Sequence, residues 1–143
     1  MATSAYFKFQ DFTEQLIRGV HDFDAHTFRV ALTNTAPVNT NTQLSQITQI
    51  AAGNGYTTGG NTTTITVSES AGTTTISGTE VVFTATGAMG PFRYAVLYND
   101  TATSPAGALI AWFDYGSAVT LQNGDTFTVR FNNASPGTIA TLV

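Results

Sequence analysis

Both histidines of the chain fall in one short stretch, His21-Asp22-Phe23-Asp24-Ala25-His26, where they meet two carboxylates. Converging His and Asp side chains hold zinc or another divalent ion. Here neither the spacing nor any adjoining ligand matches a metal-site pattern, so the stretch reads as a turn-forming loop and no metal is expected. Other carboxylates stand in turns (Asp100, Asp125) or in and near strands (Glu69, Glu80, Asp114). Two of them across a cleft would suit glycoside hydrolysis, with Tyr94, Tyr98, Trp112 and Tyr115 as stacking surfaces for sugar rings. Aromatics at period two are more often core, however, and Asp125 in Asn123-Gly124-Asp125 is turn chemistry. Serine nucleophile motifs, phosphate-cradling loops and nucleotide fingerprints are missing from the sequence. Residues 53–60, GNGYTTGG, carry glycines but no Lys, and read as a flexible loop with one anchor aromatic, Tyr56. The chain is expected to have no catalytic residues and no cofactor.

Composition narrows the class further. The 143 residues suit one domain of 1–143 with a single core. Only 10% are charged and the net charge is -4, so the clustered Lys and Arg of a nucleic-acid footprint are missing. No cysteine is present, which excludes disulfides, thiolate zinc sites and a cysteine nucleophile. No apolar run reaches the roughly 20 residues that span a bilayer, and the start, MATSAYFKFQDF, lacks the pattern of a secretory signal. No membrane partner is expected, and synthesis in a cytoplasm is.

The elements that must position these residues are mostly strands. Residues 91–115 hold the densest apolar content, PFRYAVLYNDTATSPAGALIAWFDY, and read as a long hairpin. Phe92, Tyr94, Val96 and Tyr98 alternate onto one face, as do Leu109, Ala111, Phe113 and Tyr115. The opposite face mixes Leu97, Ile110 and Trp112 with Arg93 and Asp114, so it is expected to meet something other than water. Arg93 is expected to pair with Asp114, and arginines with Trp112 to form a contact surface. Before the hairpin, Phe12, Leu16 and Val20 have helical spacing after a potential Asp11 cap with Glu14 three residues on, and Gly19 can end the turn. Residues 27–33 read as a strand with one wet face. Residues 34–61 form a connection longer than the roughly 12–15 residues usual in compact domains, with the spacing of Leu44, Ile47 and Ile50 allowing one helical turn. Together with the N-terminal segment 1–26, it is expected to serve as a contact arm. Short strands follow at 62–67, 73–77, 79–86, 118–121, 126–131 and 138–142. With no βαβ rhythm, the chain is expected to be an all-β antiparallel sandwich, jelly-roll or immunoglobulin-like, with one short N-terminal helix.

The segments ALTNTAPVNTNTQLSQITQIAAGNGYTTGG, EVVFTATGAMGPFRYAVLYND, LIAWFDYGS and LQNGDTFTVRFN resemble a family of virion structural proteins of tailed bacteriophages, over nearly the whole chain. The nearest reading is a capsid decoration, or cement, protein. That resemblance implies binding to the major capsid protein on the outer surface of the shell, as a homo-oligomer (dimer or trimer), after synthesis in the host cytoplasm. Another virion part (head fibre, neck or tail) and a carbohydrate-binding β-sandwich are the alternatives. The expected partner-contact residues are Tyr6, Phe7, Phe9 and Tyr56, with Arg93, Leu97, Ile110 and Trp112 on the hairpin.

Overall fold

The computed structural model describes residues 5–143. Of the N-terminal segment 1–26, residues 1–4 lie outside the described residues. The chain runs β1 (Ala5–Lys8), α1 (Phe12–Ile17), β2 (Phe28–Thr33), β3 (Asn61–Thr63), β4 (Ile65–Ser70), β5 (Thr73–Gly78), β6 (Val81–Thr84), β7 (Met89–Thr103), β8 (Ala106–Leu121), β9 (Thr126–Val129) and β10 (Gly137–Leu142). Every strand pairing is antiparallel. A five-stranded sheet in the order β1-β8-β7-β2-β3 packs against a second layer made of a β10-β5-β4 sheet and a β6-β9 pair. This is an all-β antiparallel sandwich with one short helix, as the alternation of apolar residues requires.

The β7–β8 hairpin is the centre of the large sheet, and it is buried on both sides. Phe92, Ala95, Leu97, Ile110 and Ala111 join the core between the layers, whereas Tyr94, Val96, Tyr98, Leu109 and Trp112 join a second cluster on the outer face. The β7–β8 register shifts at four places, and two of these shifts change which face the hairpin's core residues take. Between Leu97↔Ala111 and Tyr98↔Leu109 the register shifts by one residue, leaving Ile110 as a bulge. A bulged residue resets the pleat, so Ile110 and Ala111 face the same core. Between Phe92↔Val119 and Tyr94↔Asp114 a larger shift moves Phe92 to the opposite side from Tyr94. Leu97 and Ile110, placed by alternation on a contact face, therefore lie fully inside the sandwich.

The outer cluster needs a lid, and residues 34–61 supply it. Leu44 and Ile47 pack on Tyr94, Val96, Tyr98, Leu109 and Trp112. A 3₁₀ turn at Leu44–Gln46 holds this lid in shape, with Gln46 Oε1 accepting the N–H groups of Thr42 (2.7 Å) and Gln43 (3.1 Å). Main-chain bonds tie it down at both sides, Leu109 N–H to Thr42 O (3.1 Å) and Ile50 N–H to Leu32 O (3.0 Å). The long connection is thus a wall of the fold and not a projecting arm. Its cover also buries Ala31 and Thr33, so β2 lacks the wet face expected of it and leaves only Arg29 half-exposed.

Tyr56 anchors the end of this lid from inside. Its ring is 2% exposed and packs against Phe83 in the inter-layer core. Its hydroxyl accepts the Leu32 N–H (3.2 Å) and donates to Gln49 Oε1 (2.7 Å), and burial pushes its pKa up to about 12. A side chain so enclosed offers nothing to a partner, contrary to the contact role expected of it. Gly60, close by, has φ +75 and lies so near the Val30 carbonyl that a Cβ would overlap it. At the N-terminal end, α1 stops at Ile17 because Gly19 turns at φ +78. The expected capping box does not form: Asp11 accepts from Gln15 Nε2 (3.1 Å) and Glu14 pairs with Arg18 (2.8 Å).

Removing the Tyr56 hydroxyl leaves a buried Leu32 N–H without its partner. Tyr56→Phe is expected to cost about 1–3 kcal/mol in urea unfolding with an unchanged m-value. An unchanged midpoint would show that the lid is not anchored there.

Candidate functional site

Three groups of polar or exposed side chains stand out on this scaffold. The first joins the histidine loop to the hairpin. Asn99, fully buried near the end of β7, places its Nδ2 2.9 Å from His26 Nδ1 and 3.3 Å from His21 Nδ1. Its Oδ1 accepts the N–H groups of Thr101 (3.1 Å) and Ala102 (3.2 Å). The adjacent Asp22 carboxylate is occupied by its own turn, accepting from the Asp24 and Ala25 N–H groups (both 3.1 Å). Among the described residues no cluster of three or more potential ligands could hold a metal ion. His21 instead sits among Phe12, Phe23 and Phe28, and its Nε2 has no hydrogen-bond partner among the described residues. Burial is the main force pushing its pKa down to about 4; His26 adds to this, and Asp11 opposes it.

The second group is the outer edge of the large sheet. β1, which the sequence pattern did not reveal as a strand, pairs with β8 through Ala5↔Asp114, Tyr6↔Phe113, Phe7↔Trp112 and Lys8↔Ala111. Tyr6 and Phe7 remain 43% and 37% exposed on it. Phe7 stacks on Trp112 (centroids 4.2 Å apart, 19° between planes), while Tyr94 meets the same indole edge-on at 5.7 Å. Trp112 Nε1 donates to Asn39 Oδ1 (3.2 Å), so this indole is held and covered from several sides. Phe9, two residues past Phe7, is fully buried in the outer cluster. Of the eight residues expected to form a contact surface, Tyr6, Phe7 and Arg93 reach solvent to a useful degree. Phe9, Tyr56, Leu97 and Ile110 are interior, and Trp112 is largely so.

The third group is a groove of about 630 Å³ lined by β9 and β10 together with Tyr6 of β1 and residues of the β7–β8 hairpin. Phe92, Ala95 and Phe113 lie along its floor. Phe127 closes one side, packing edge-on to Phe92 (4.9 Å) and Tyr115 (5.3 Å). Arg93 and Arg130 are the only charged residues that line it. Arg93 makes the pair expected across the hairpin, Nε to Asp114 Oδ1 (2.7 Å) and Nη2 to Asp114 Oδ2 (2.9 Å), with its guanidinium 5.3 Å above the Tyr94 ring. That fork holds the Asp114 carboxyl below the usual carboxylate range, helped by the Gly116 N–H (2.8 Å). Arg130 pairs with Glu80 through Nε (2.7 Å). The sequence carried no mark of this groove, because it forms only where β1, the hairpin, β9 and β10 come together.

Comparison with family models, with curated proteins and with solved structures gives no match to the chain.

The histidine loop generates a pH prediction. His21 binds its proton more weakly in the folded chain than in the unfolded one, so its contribution is fully present above about pH 6.5. It is lost progressively as pH falls towards 4. After allowance for solvent screening the loss is on the order of 1–2 kcal/mol. Urea midpoints measured at intervals from pH 7 to pH 4 should show this slope, and His21→Gln should flatten it. An identical slope in the variant would assign the acid sensitivity to other groups.

Proposed function

We propose that the chain is a non-catalytic virion structural protein that decorates the head of a tailed bacteriophage, binding the outer face of the major capsid protein. The resemblance of the hairpin and lid segments to virion proteins supplies the partner. The observation that carries the binding role is the aromatic edge of β1, where all four residues are exposed and Tyr6 and Phe7 stand on a hydrogen-bonded strand. A sheet edge offers unpaired main-chain groups, and natural folds blunt such edges with charge or proline. Here the only charge on the strand is Lys8, and its Nζ is turned to Thr13 Oγ1 (2.8 Å). Exposed aromatics beside an open edge favour association, with copies of the same chain in a dimer or trimer and with a shell.

Such a protein stabilises a capsid by linkage. Binding the mature shell and not its disassembled subunits lowers the free energy of the shell in proportion to occupancy. Repetition over a symmetric lattice multiplies contacts that are individually weak. No helix among the described residues is long and apolar enough to cross a membrane.

Purified protein added to undecorated heads is expected to co-sediment with them saturably and to raise their melting temperature. A Tyr6→Ser, Phe7→Ser double variant should bind heads at least about tenfold more weakly while keeping its own unfolding midpoint within about 1 kcal/mol. Absence of head binding at any concentration would sink the proposal, as would labelling of the tail or neck by a tagged chain in electron micrographs of virions.

A further inference from the structure

We propose that the groove lined by Arg93 and Arg130 is a binding site for a small organic anion, a single carboxylate carried on a compact apolar or aromatic body. The site goes beyond the capsid reading and does not depend on it, although Tyr6 belongs both to the groove and to the β1 edge. Its origin is a mismatch between the layers. The large sheet is five strands across, whereas the second layer is three across: β4, then β5 with β6, then β10 with β9. Tyr6 of β1 lines one space together with β9 and β10, so the large sheet overhangs the second layer on the β1 side. The core opens to solvent there.

Size and ring orientation define the body of the ligand. At about 630 Å³ the space falls within the roughly 300–1,000 Å³ of small-molecule sites. Phe113, Tyr115 and Phe127 line it half-buried, so each keeps apolar surface that an occupant would remove from water. Phe127 meets Phe92 at 81° and Tyr115 at 73°, and Tyr6 meets Phe113 at 56°. Rings inclined in this way make a cup and not a platform. A sugar stacks on one open aromatic face, whereas a compact apolar body is touched from several sides at once.

Charge defines the head group. Among the described residues that line the groove there is no carboxylate, whereas Arg93 and Arg130 are both present. Asp114 takes Nε and Nη2 of Arg93, and Glu80 takes Nε of Arg130. A guanidinium carries more donors than these bonds use, so Nη1 of Arg93 and both Nη groups of Arg130 keep N–H groups for a further acceptor. Such a fork matches the plane of a carboxylate. The neighbouring Asp114 and Glu80 repel a dianion more strongly than a monoanion, which favours a carboxylate over a phosphate. In a chain of net charge -4, the groove is a place where an apolar anion can settle.

The probes are octanoate and 2-naphthoate, each beside its neutral amide, titrated into the full chain and followed by NMR of the aromatic side chains. At least one acid should bind saturably with a Kd below about 1 mM and shift the Tyr6, Phe113, Tyr115 and Phe127 rings. Its amide should bind about tenfold more weakly. Arg130→Gln should weaken the acid about tenfold and leave the amide unchanged, so the amide reports whether the groove has kept its shape. Glu80→Gln removes the competing carboxylate and should tighten the acid about threefold. Absence of saturable binding by either acid would overturn the proposal. Equal affinity for acid and amide, or acid binding that ignores Arg130→Gln, would overturn the anionic head group. Tighter binding of naphthyl phosphate than of naphthoate would overturn the choice of a carboxylate, and neutral oligosaccharides that shift the same rings while both acids fail would make the groove a glycan site. Heads play no part in this measurement, so its failure leaves the capsid reading standing.

Discussion

The large sheet is apolar on both faces, and the rest of the structure follows from that constraint. A sheet with one wet face needs a single partner layer, whereas β7 and β8 bury Leu97 and Ile110 on one side and Val96, Tyr98 and Leu109 on the other. Burial at roughly 25 cal/mol per Å² makes exposure of either face prohibitive. The second layer covers one face and the connection 34–61 covers the other. The connection is long because it must cross a sheet, and its polar atoms are spent on fixing that path. Gln46 closes the 3₁₀ turn, Asn39 meets the Trp112 indole, and Gln49 accepts from both Tyr56 and the Gly59 N–H.

Low charge is tolerated because the few charged groups sit where strands end or bend. Arg93 and Asp114 flank the place where the hairpin register shifts, and the carboxylate that receives the Arg93 fork also accepts the Gly116 N–H. Arg29 reaches both Asp100 (3.0 Å) and the Gly60 carbonyl (3.2 Å), joining β2 to the ends of β7 and of the lid. These pairs are partly exposed, so their worth lies more in orienting main chain than in net stability. Asn99 does the corresponding work inside, where one amide ties the histidine loop to the turn beyond β7. The histidines that looked like ligands serve this amide, which explains why they lie close together without carboxylates turned inward.

The fold class was legible because period-two alternation survives in strands such as β6 and β10, and the Arg93–Asp114 pair was legible because both residues flank aromatics on adjacent strands. What misled was phase and not identity. Ile110 is a good strand residue whether or not it bulges, and no local signal marks the slip that turns it towards the core. Tyr56 was read as a loop anchor from its glycine neighbours, although Gly60 lets the chain pass close to β2 and Gly55 lets it pass close to β6. β1 escaped notice because it is short and exposed on every residue, so it shows no alternation; its order comes from pairing with β8. The groove could not be read at all, since it is assembled from β1, the hairpin, β9 and β10, and their juxtaposition is a long-range property.

The groove owes its floor to the hairpin beneath it. The β7–β8 ribbon shifts register at Phe92 and Tyr94, where β8 carries the additional residues 115–118 and Gly116 adopts φ +101. Phe92 and Tyr115 are thereby brought around Phe127 on β9, which pairs with β6. Phe131 is fully buried against Phe113, and Ala134 N–H bonds to its carbonyl (3.1 Å), so the β9–β10 connection makes a tight excursion between two strands that follow end to end along β6 and β5. Asn132 and Asn133 adopt φ +49 and +56 in that turn, a conformation Asn accepts more readily than most residues. β9 and β10 therefore run in the same direction along β6 and β5, with Glu80 meeting both ends of the excursion: its carboxylate accepts from Arg130 Nε (2.7 Å) and its N–H donates to Ser135 Oγ (3.0 Å). The wall they form is fixed to the hairpin by Phe127, and displacing it would require Phe127 to leave Phe92 and Tyr115.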